Sequence, residues 1–185
     1  GIMITASHNP KEYNGYKLYD EKGCQLVPAL AQQVIDKVNA IEDELAISAD
    51  PSEEQSKLIT IIGADVDEVY YENVVSIQLN PDVDKKAVKI VFSPEHGTAN
   101  VPVKEIYKRL SYDFVAVEEQ CTPDPDFSMT PTPNPEEKDA LTLAIEKAKE
   151  IGADLVLGTD PDCDRVGIAV KNGDEYVLFT GNQTG

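Results

Sequence analysis

The chain has 185 residues, a formal net charge of −18 and 41% hydrophobic residues. This length allows one domain, or one domain and part of another, and the hydrophobic content excludes a wholly disordered chain. Nucleic acids and anionic membrane surfaces are bound through cationic groups, so the 34 acidic against 16 basic residues argue against both kinds of partner. Residues 1–40 are the exception, since their acidic and basic side chains balance.

Cysteine content and hydropathy indicate a reduced, cytoplasmic location. The three cysteines, Cys24, Cys121 and Cys163, are widely spaced and form no CxxC pair, which argues against a disulfide framework or a zinc site. No apolar run approaches the roughly 20 residues of a membrane span, and no signal peptide is visible. The chain begins inside an apolar run, so we expect it to belong to a longer protein.

The first part of the chain predicts a short α/β segment followed by an acidic linker. Apolar residues recur at helical spacing after Pro28, a residue suited to the first turn of a helix. The predicted elements are strands at 2–4 and 15–19, a helix at 28–44, a linker at 42–57, a strand at 58–62 and a helix at 65–79.

From residue 87 onward, strands and helices alternate. The predicted elements are strands at 87–92, 114–117, 155–157 and 166–170, helices at 100–110 and 136–151, and a proline-rich excursion at 122–135. This alternation predicts an α/β fold, a three-layer arrangement in which helices flank a mixed or parallel sheet. We expect one full domain, residues 58–185, preceded by part of another α/β domain with its linker, residues 1–57.

Ligands of such sheets bind at the carboxyl ends of strands, so the loops 5–12, 93–100 and 158–165 are the candidate binding loops.

In the loop 158–165, Asp160, Asp162 and Asp164 follow an apolar strand, and such a cluster of like charges is unfavourable without a cation. The oxygen-only ligand set favours Mg²⁺, Mn²⁺ or Ca²⁺ over zinc, and the EF-hand pattern is not met, since Arg165 stands where its glycine would be. A guanidinium beside the ion favours a phosphate ligand. The alternative is a solvated acidic turn.

The loop at 5–12 contains Ser7 followed by His8, which could be a nucleophile with an adjacent base. Consecutive side chains usually point apart, however, so a turn-forming or capping cluster is the favoured interpretation of this loop alone. Lys17 adds a cation that could return to the same site from the next strand, as a proton shuttle or a countercharge, or could simply be exposed at a strand edge.

Together these segments resemble the α-D-phosphohexomutases, most closely the bacterial phosphoglucomutase/phosphomannomutase branch. The motifs that carry the resemblance are TASHNP at 5–10, NGYK at 14–17, HGTAN at 96–100, GTDPDCDR at 158–165 and TGNQTG at 180–185. They span the whole chain in the expected order, and the serine and aspartate motifs are highly specific as a pair. Family members have four domains, so the resemblance implies that this chain is the end of the first domain plus the second, ending at the start of the third.

The resemblance also implies a mechanism. Ser7 would be carried as a phosphoserine, and Mg²⁺ would be held by Asp160, Asp162, Asp164 and an oxygen of that phosphoserine. The enzyme would interconvert hexose 1-phosphate and hexose 6-phosphate through a hexose 1,6-bisphosphate, with glucose 1,6-bisphosphate as activator. Lys17 matches the acid/base lysine, and His8 and Arg165 match residues at the phosphoryl site. Four residues would also contact substrate, namely Ser7, Lys17, Asp164 and Arg165.

Several alternatives remain open from the sequence. A haloacid-dehalogenase-type phosphatase would use Asp160 as nucleophile and Asp162 as general acid, but it leaves the loop around Ser7 without a role. A Mg²⁺-binding regulatory module is a third, non-enzymatic interpretation. The sequence does not decide between glucose and mannose phosphates as substrates, and residues 1–185 alone are expected to lack turnover because the remaining domains of the family are absent.

Overall fold

The computed structural model describes every residue from Gly1 to Gly185. It separates into two compact units, the first made of residues 1–5 and 15–68, the second of residues 6–14 and 69–185. The loop 6–14, which carries Ser7, therefore belongs to the second unit, although both strands that flank it belong to the first.

The first unit contains a two-stranded antiparallel sheet and two helices. Strands β1 (Ile2–Ile4) and β2 (Tyr16–Leu18) pair with Met3 opposite Lys17. Helix α1 (Pro28–Asn39) ends five residues before the predicted boundary at 44, and a separate 3₁₀ turn follows at Glu44–Ala46. The Asp43 side chain accepts from the Leu45 amide at 3.0 Å and so favours a new turn over continued helix. A capping box of Ser52 and Gln55 starts the short helix α2 (Glu53–Ser56).

The predicted strand at 58–62 is wrong. These residues form no strand, and Leu58 and Ile61 are 83% and 89% exposed. The amides of Leu58 and Ile59 bond to carbonyls three residues earlier, and the sheet of this unit contains only β1 and β2. A short apolar run forms a strand only where another strand offers it a ladder of hydrogen bonds. Helix α3 (Ala64–Ser76) follows, with Asp65 and Asp67 in its first turn.

The second unit is built on a five-stranded mixed sheet of order β4-β3-β5-β6-β7. Strands β3, β4 and β5 are parallel, whereas β6 and β7 continue the sheet in antiparallel sense. The bounds are Lys89–Ser93 for β3, Asp113–Ala116 for β4, Leu155–Thr159 for β5, Val166–Asn172 for β6 and Glu175–Phe179 for β7. The mixed sheet confirms the predicted fold class, although β7 was not predicted.

Helices cover both faces of this sheet. On one face, α5 (Thr142–Ile151) packs its Ala144 and Ala148 against a buried cluster that includes Val91 and Val156. On the other, Tyr107 of α4 (Asn100–Arg109) contacts the rings of Phe92 and Phe114. Because successive strand residues point to opposite faces, Val91 and Phe92 place the two helices on opposite sides. The three-layer arrangement is therefore confirmed. The short helix α6 (Gly181–Thr184) ends the chain.

Helix α5 begins six residues later than predicted. Residues 136–141 instead form successive turns, in which the Glu137 amide bonds to the Asn134 carbonyl and the Ala140 amide to the Glu137 carbonyl. The Asn134 side chain accepts from the Glu136 amide, a local bond that favours a turn. These turns bury Ala140 and Leu141 against the sheet. None of the helices in the structure combines the length and the apolar character that crossing a membrane would need.

Candidate active site

Two of the three loops selected from the sequence lie side by side at one edge of the sheet. Strands β3 and β5 are parallel neighbours, with Ser93 in register with Gly158. The loops that follow them, 93–100 and 158–165, therefore leave the sheet together at its carboxyl edge, where ligands of α/β proteins bind. The Thr98 amide and hydroxyl both donate to the Pro161 carbonyl, at 2.9 and 3.1 Å, and join the two loops.

A hydrogen bond joins the serine loop to the acidic loop. Ser7 Oγ donates to Asp160 Oδ2 at 2.9 Å, and Oγ also lies 3.2 Å from His8 Nδ1. Ser7 has a left-handed backbone with φ of 55°, a conformation that non-glycine residues adopt mainly where the surrounding structure holds them. The structure therefore brings together Ser7, His8 and Asp160, three residues that the sequence selected.

Asp160 is the centre of the acidic loop. It is fully buried, and its second oxygen, Oδ1, accepts from the amides of Asp164 and Arg165 at 3.1 and 3.0 Å. The Cys163 amide donates to the Asp160 carbonyl, and Cys163 has a left-handed φ of 60°, so the chain turns tightly around the carboxylate. Burial raises the pKa of Asp160, while hydrogen bonds from Ser7 and the Arg165 amide oppose that rise. Arg165 Nε lies 3.9 Å from Asp160 Oδ2.

The three aspartates fit an octahedral divalent cation. Each of Asp160, Asp162 and Asp164 offers a carboxylate oxygen within 4.8 Å of the other two. Mg²⁺ with oxygen ligands at about 2.1 Å separates opposite ligands by about 4.2 Å, so shifts of several tenths of an ångström would place these oxygens on one ion. The hard, oxygen-only donor set suits Mg²⁺, and Ser7 Oγ is already beside one of the carboxylates.

Lys17 lies in the first unit. It stands on β2 opposite Met3 and lines a cavity of about 180 Å³ together with Gln25 and Ile35. Its predicted role as acid or base stays a prediction.

Sequence analysis missed two buried polar residues next to the site, Glu95 and Gln120. Both are fully buried. The Gln120 side chain accepts from Ser93 Oγ at 2.7 Å and donates to the Met129 carbonyl at 2.9 Å. The backbone carbonyl of Gln120 accepts from the His96 amide at 2.8 Å. No sequence signal identified Gln120, because it lies in a short 3₁₀ turn after β4 and its partners are distant in the chain. Glu95 lies in a loop that was selected, but its burial depends on tertiary packing.

The Glu95 carboxyl has an unusual environment. Neither of its oxygens has a hydrogen-bond partner. Oε1 packs closely against Gly158, where an added Cβ would lie 2.9 Å from it. Burial, and then the nearby Asp160 carboxylate, raise the pKa of Glu95 to about 9. At neutral pH this side chain is therefore an uncharged acid, packed behind the acidic loop.

The fold and the site define an α/β domain that carries a serine and a carboxylate cluster at the carboxyl edge of its parallel strands, and the comparisons identify the family. The model for "Phosphoglucomutase/phosphomannomutase, alpha/beta/alpha domain II" matches residues 68–173, more than half of the chain. The model for domain I of the same family matches residues 1–45. The chain belongs to the phosphoglucomutase/phosphomannomutase family.

Similar proteins carry both names of the family. The chain is 38% identical to a phosphomannomutase of Mycoplasmoides pirum over 188 residues, and 40% identical to a phosphoglucomutase of Staphylococcus epidermidis over 189 residues. Each alignment covers the whole of this chain but 34% of the relative, so the chain spans about a third of the length of these relatives.

Solved structures share the fold. A putative phosphomannomutase from Thermus thermophilus superposes on 95% of this chain and 37% of its own, with a TM-score of 0.70 and 22% identity. An Aspergillus fumigatus N-acetylphosphoglucosamine mutase, crystallised with GlcNAc-6P and magnesium, superposes on 96% of this chain and 44% of its own, with a TM-score of 0.61 and 17% identity.

Proposed function

We propose that this chain is part of a cytoplasmic phosphoglucomutase/phosphomannomutase, an isomerase that interconverts hexose 1-phosphates and hexose 6-phosphates through a phosphoserine at Ser7. The observation that carries the proposal is the 2.9 Å hydrogen bond from Ser7 Oγ to Asp160 Oδ2 within the carboxylate cluster. The family match supports it independently. We place residues 1–57 in the first domain of the enzyme with its linker, and residues 58–185 in the second.

The carboxylate cluster would hold Mg²⁺ through Asp160, Asp162 and Asp164, with a further oxygen from the phosphoryl group on Ser7. When bound, the ion offsets the negative charge of a transferring phosphoryl group. Arg165, whose Nε lies 3.9 Å from Asp160, is suited to pair with phosphate oxygens, and His8 Nδ1 stands 3.2 Å from Ser7 Oγ. Arg165 and Asp164 would also face the substrate.

In the forward transfer, a hydroxyl oxygen of the hexose monophosphate attacks the phosphorus on Ser7. The bond from phosphorus to Ser7 Oγ breaks, and Oγ leaves as an alkoxide stabilised by the surrounding charges. The proton of the sugar hydroxyl passes to a base, a role that we assign to Lys17. The products are a hexose 1,6-bisphosphate, a protonated Lys17 and the Ser7 alkoxide, which is the nucleophile of the return transfer.

The return transfer uses the other phosphate of the same bisphosphate. Ser7 Oγ attacks that phosphorus, the sugar oxygen leaves and takes a proton from Lys17, and Ser7 is phosphorylated again. Glucose 1,6-bisphosphate would therefore act as an activator, because it phosphorylates any enzyme that has lost its phosphoryl group. We expect residues 1–185 alone to show negligible turnover, since the chain spans about a third of its relatives.

The decisive experiment compares the full-length protein with its Ser7→Ala variant on glucose 1-phosphate and mannose 1-phosphate, with glucose 1,6-bisphosphate present. We expect turnover in the wild type and none in the variant, whereas Ser111→Ala, an exposed serine on the same unit, should keep full activity. Intact mass after acid treatment gives a second readout. An acid-stable phosphoryl group that disappears in Ser7→Ala supports the proposal, whereas an acid-labile acyl phosphate would point to an Asp160 nucleophile and contradict it.

A further inference from the structure

The acidic loop is held from behind by the loop that follows β3. Pro161 stands between Asp160 and Asp162, and its carbonyl accepts two hydrogen bonds from one residue, Thr98, through the amide at 2.9 Å and the hydroxyl at 3.1 Å. The peptide that accepts these bonds is the one that leads from Pro161 into Asp162. The orientation of this peptide sets the backbone position of Asp162, from which the second carboxylate of the cluster extends.

Gly97 allows this contact to form. A Cβ on Gly97 would lie 2.5 Å from Pro161 Cα and 2.7 Å from its carbonyl oxygen, closer than such atoms approach in proteins. Those neighbours are backbone atoms, so they cannot rotate away as the end of a flexible side chain would. The absence of a side chain at Gly97 therefore allows the two loops to pack backbone against backbone.

The supporting loop is itself held firmly. The His96 amide donates to the Gln120 carbonyl at 2.8 Å, and His96 Nδ1, 2.7 Å from the Thr122 carbonyl, donates to that oxygen. Glu95 and His96 both have left-handed backbones, with φ of 45° and 63°, which the buried Gln120 network holds in place. The residues that precede Thr98 are therefore anchored by contacts outside the acidic loop.

We propose that Thr98 is a positioning residue for the divalent-cation site, acting through the Pro161 carbonyl to hold the Asp160–Asp162 segment in its metal-binding geometry. This inference rests on the proposed function, because it takes the three aspartates as ligands. Thr98 bonds to the Pro161 carbonyl and would act by lowering the reorganisation that the loop must undergo when the ion binds.

The test measures Mn²⁺ affinity of the full-length protein by electron paramagnetic resonance, in which free and bound Mn²⁺ are distinguished. Thr98→Val keeps the shape and the amide but removes the hydroxyl, and we expect the dissociation constant to rise about three- to tenfold. Thr98→Ser keeps the hydroxyl and should stay within about twofold of the wild type. Gly97→Ala should weaken binding by more than about tenfold, because the whole peptide is displaced.

Thermal unfolding of the metal-free protein separates positioning from general damage. Because Thr98 is exposed, Thr98→Val should unfold within a few degrees of the wild type, while the stabilisation on adding Mn²⁺ should be smaller. Equal Mn²⁺ affinity in the wild type, Thr98→Val and Thr98→Ser would overturn the inference and leave the proposed function intact. A wild-type protein that binds no Mn²⁺ would contradict the proposed metal site, and this inference with it.

Discussion

Ser7 Oγ and Asp160 Oδ2 lie 2.9 Å apart although 153 positions separate them in the chain. This hydrogen bond can form only while Ser7 is unphosphorylated, because the Ser7 hydroxyl donates its proton to Asp160. A phosphoryl group on Ser7 would bring further negative charge against a buried carboxylate, which is unfavourable unless a cation lies between them. The same contact that marks the serine therefore argues for a cation site in the phosphorylated protein.

Asp160→Asn should abolish divalent-cation binding. The substitution removes the charge of the buried carboxylate that we propose as a ligand, and introduces an amide where the carboxylate accepts from Ser7 and from the amides of Asp164 and Arg165. We expect the Mn²⁺ dissociation constant to rise by more than about 100-fold, because changes outside the ligand shell alone cost about 10- to 100-fold. The control is Glu119→Gln, which neutralises an exposed glutamate on the same unit. Retained Mn²⁺ affinity in Asp160→Asn would contradict the assignment.

We expect Glu95 to make the second unit less stable as the pH rises. Its pKa is about 9 in the folded protein against 4.5 for an ordinary glutamate, so above pH 4.5 the unfolded chain releases a proton that the folded chain retains. The free energy of unfolding should then fall by about 1.4 kcal/mol per pH unit between these two values. Glu95→Gln removes this contribution, and urea unfolding at pH 6 and pH 8 measures it.

The pH comparison has its own control. Glu119→Gln neutralises an exposed glutamate and should leave the slope of stability against pH as in the wild type. If Glu95→Gln showed the wild-type slope as well, the uncharged state of Glu95 would be wrong.

Gln120→Leu should destabilise the second unit. The substitution keeps a similar volume but removes the side-chain bonds to Ser93 Oγ and the Met129 carbonyl, in a fully buried position. We expect a loss of about 2 kcal/mol in the free energy of unfolding, with Ser93→Ala and the double variant completing a cycle. A coupling energy near zero between the two positions would show that the bond contributes nothing measurable.

Lys11 and Asp126 attach the serine loop to the proline-rich segment. Lys11 Nζ lies 2.6 Å from Asp126 Oδ1, and this bond raises the pKa of Lys11. Both side chains are exposed, so salt should weaken the attachment. We expect Lys11→Asp to speed amide hydrogen exchange in residues 6–14, and Asp126→Lys in the same chain to restore slow exchange. Exchange that is unchanged in both variants would show that the pair does not hold the loop.

The sequence predicted most of the fold correctly where a periodic pattern and a packing partner coincided. Strands β3, β4, β5 and β6 and helix α4 stand close to their predicted places, because an apolar run between turn-forming residues has few other solutions in an alternating α/β chain. The strand at 58–62 failed because its apolar run has no neighbouring strand to pair with. The early part of the helix at 136–151 failed because Asn134 satisfies the local amides in a turn.

Residue types and their order were enough to select Asp160, Asp162 and Asp164, because a carboxylate loop at a strand end is a local pattern, whereas Ser7 was selected by the resemblance of its motif, taken together with the aspartate motif, to a known family. The contact between Ser7 and Asp160, the burial of Glu95 and Gln120, and the support of Pro161 by Thr98 could be decided only by tertiary structure. Each joins segments that are distant in the chain. Distances, desolvation and hydrogen-bond partners depend on which segments the sheet places side by side, and a linear pattern carries no measure of them.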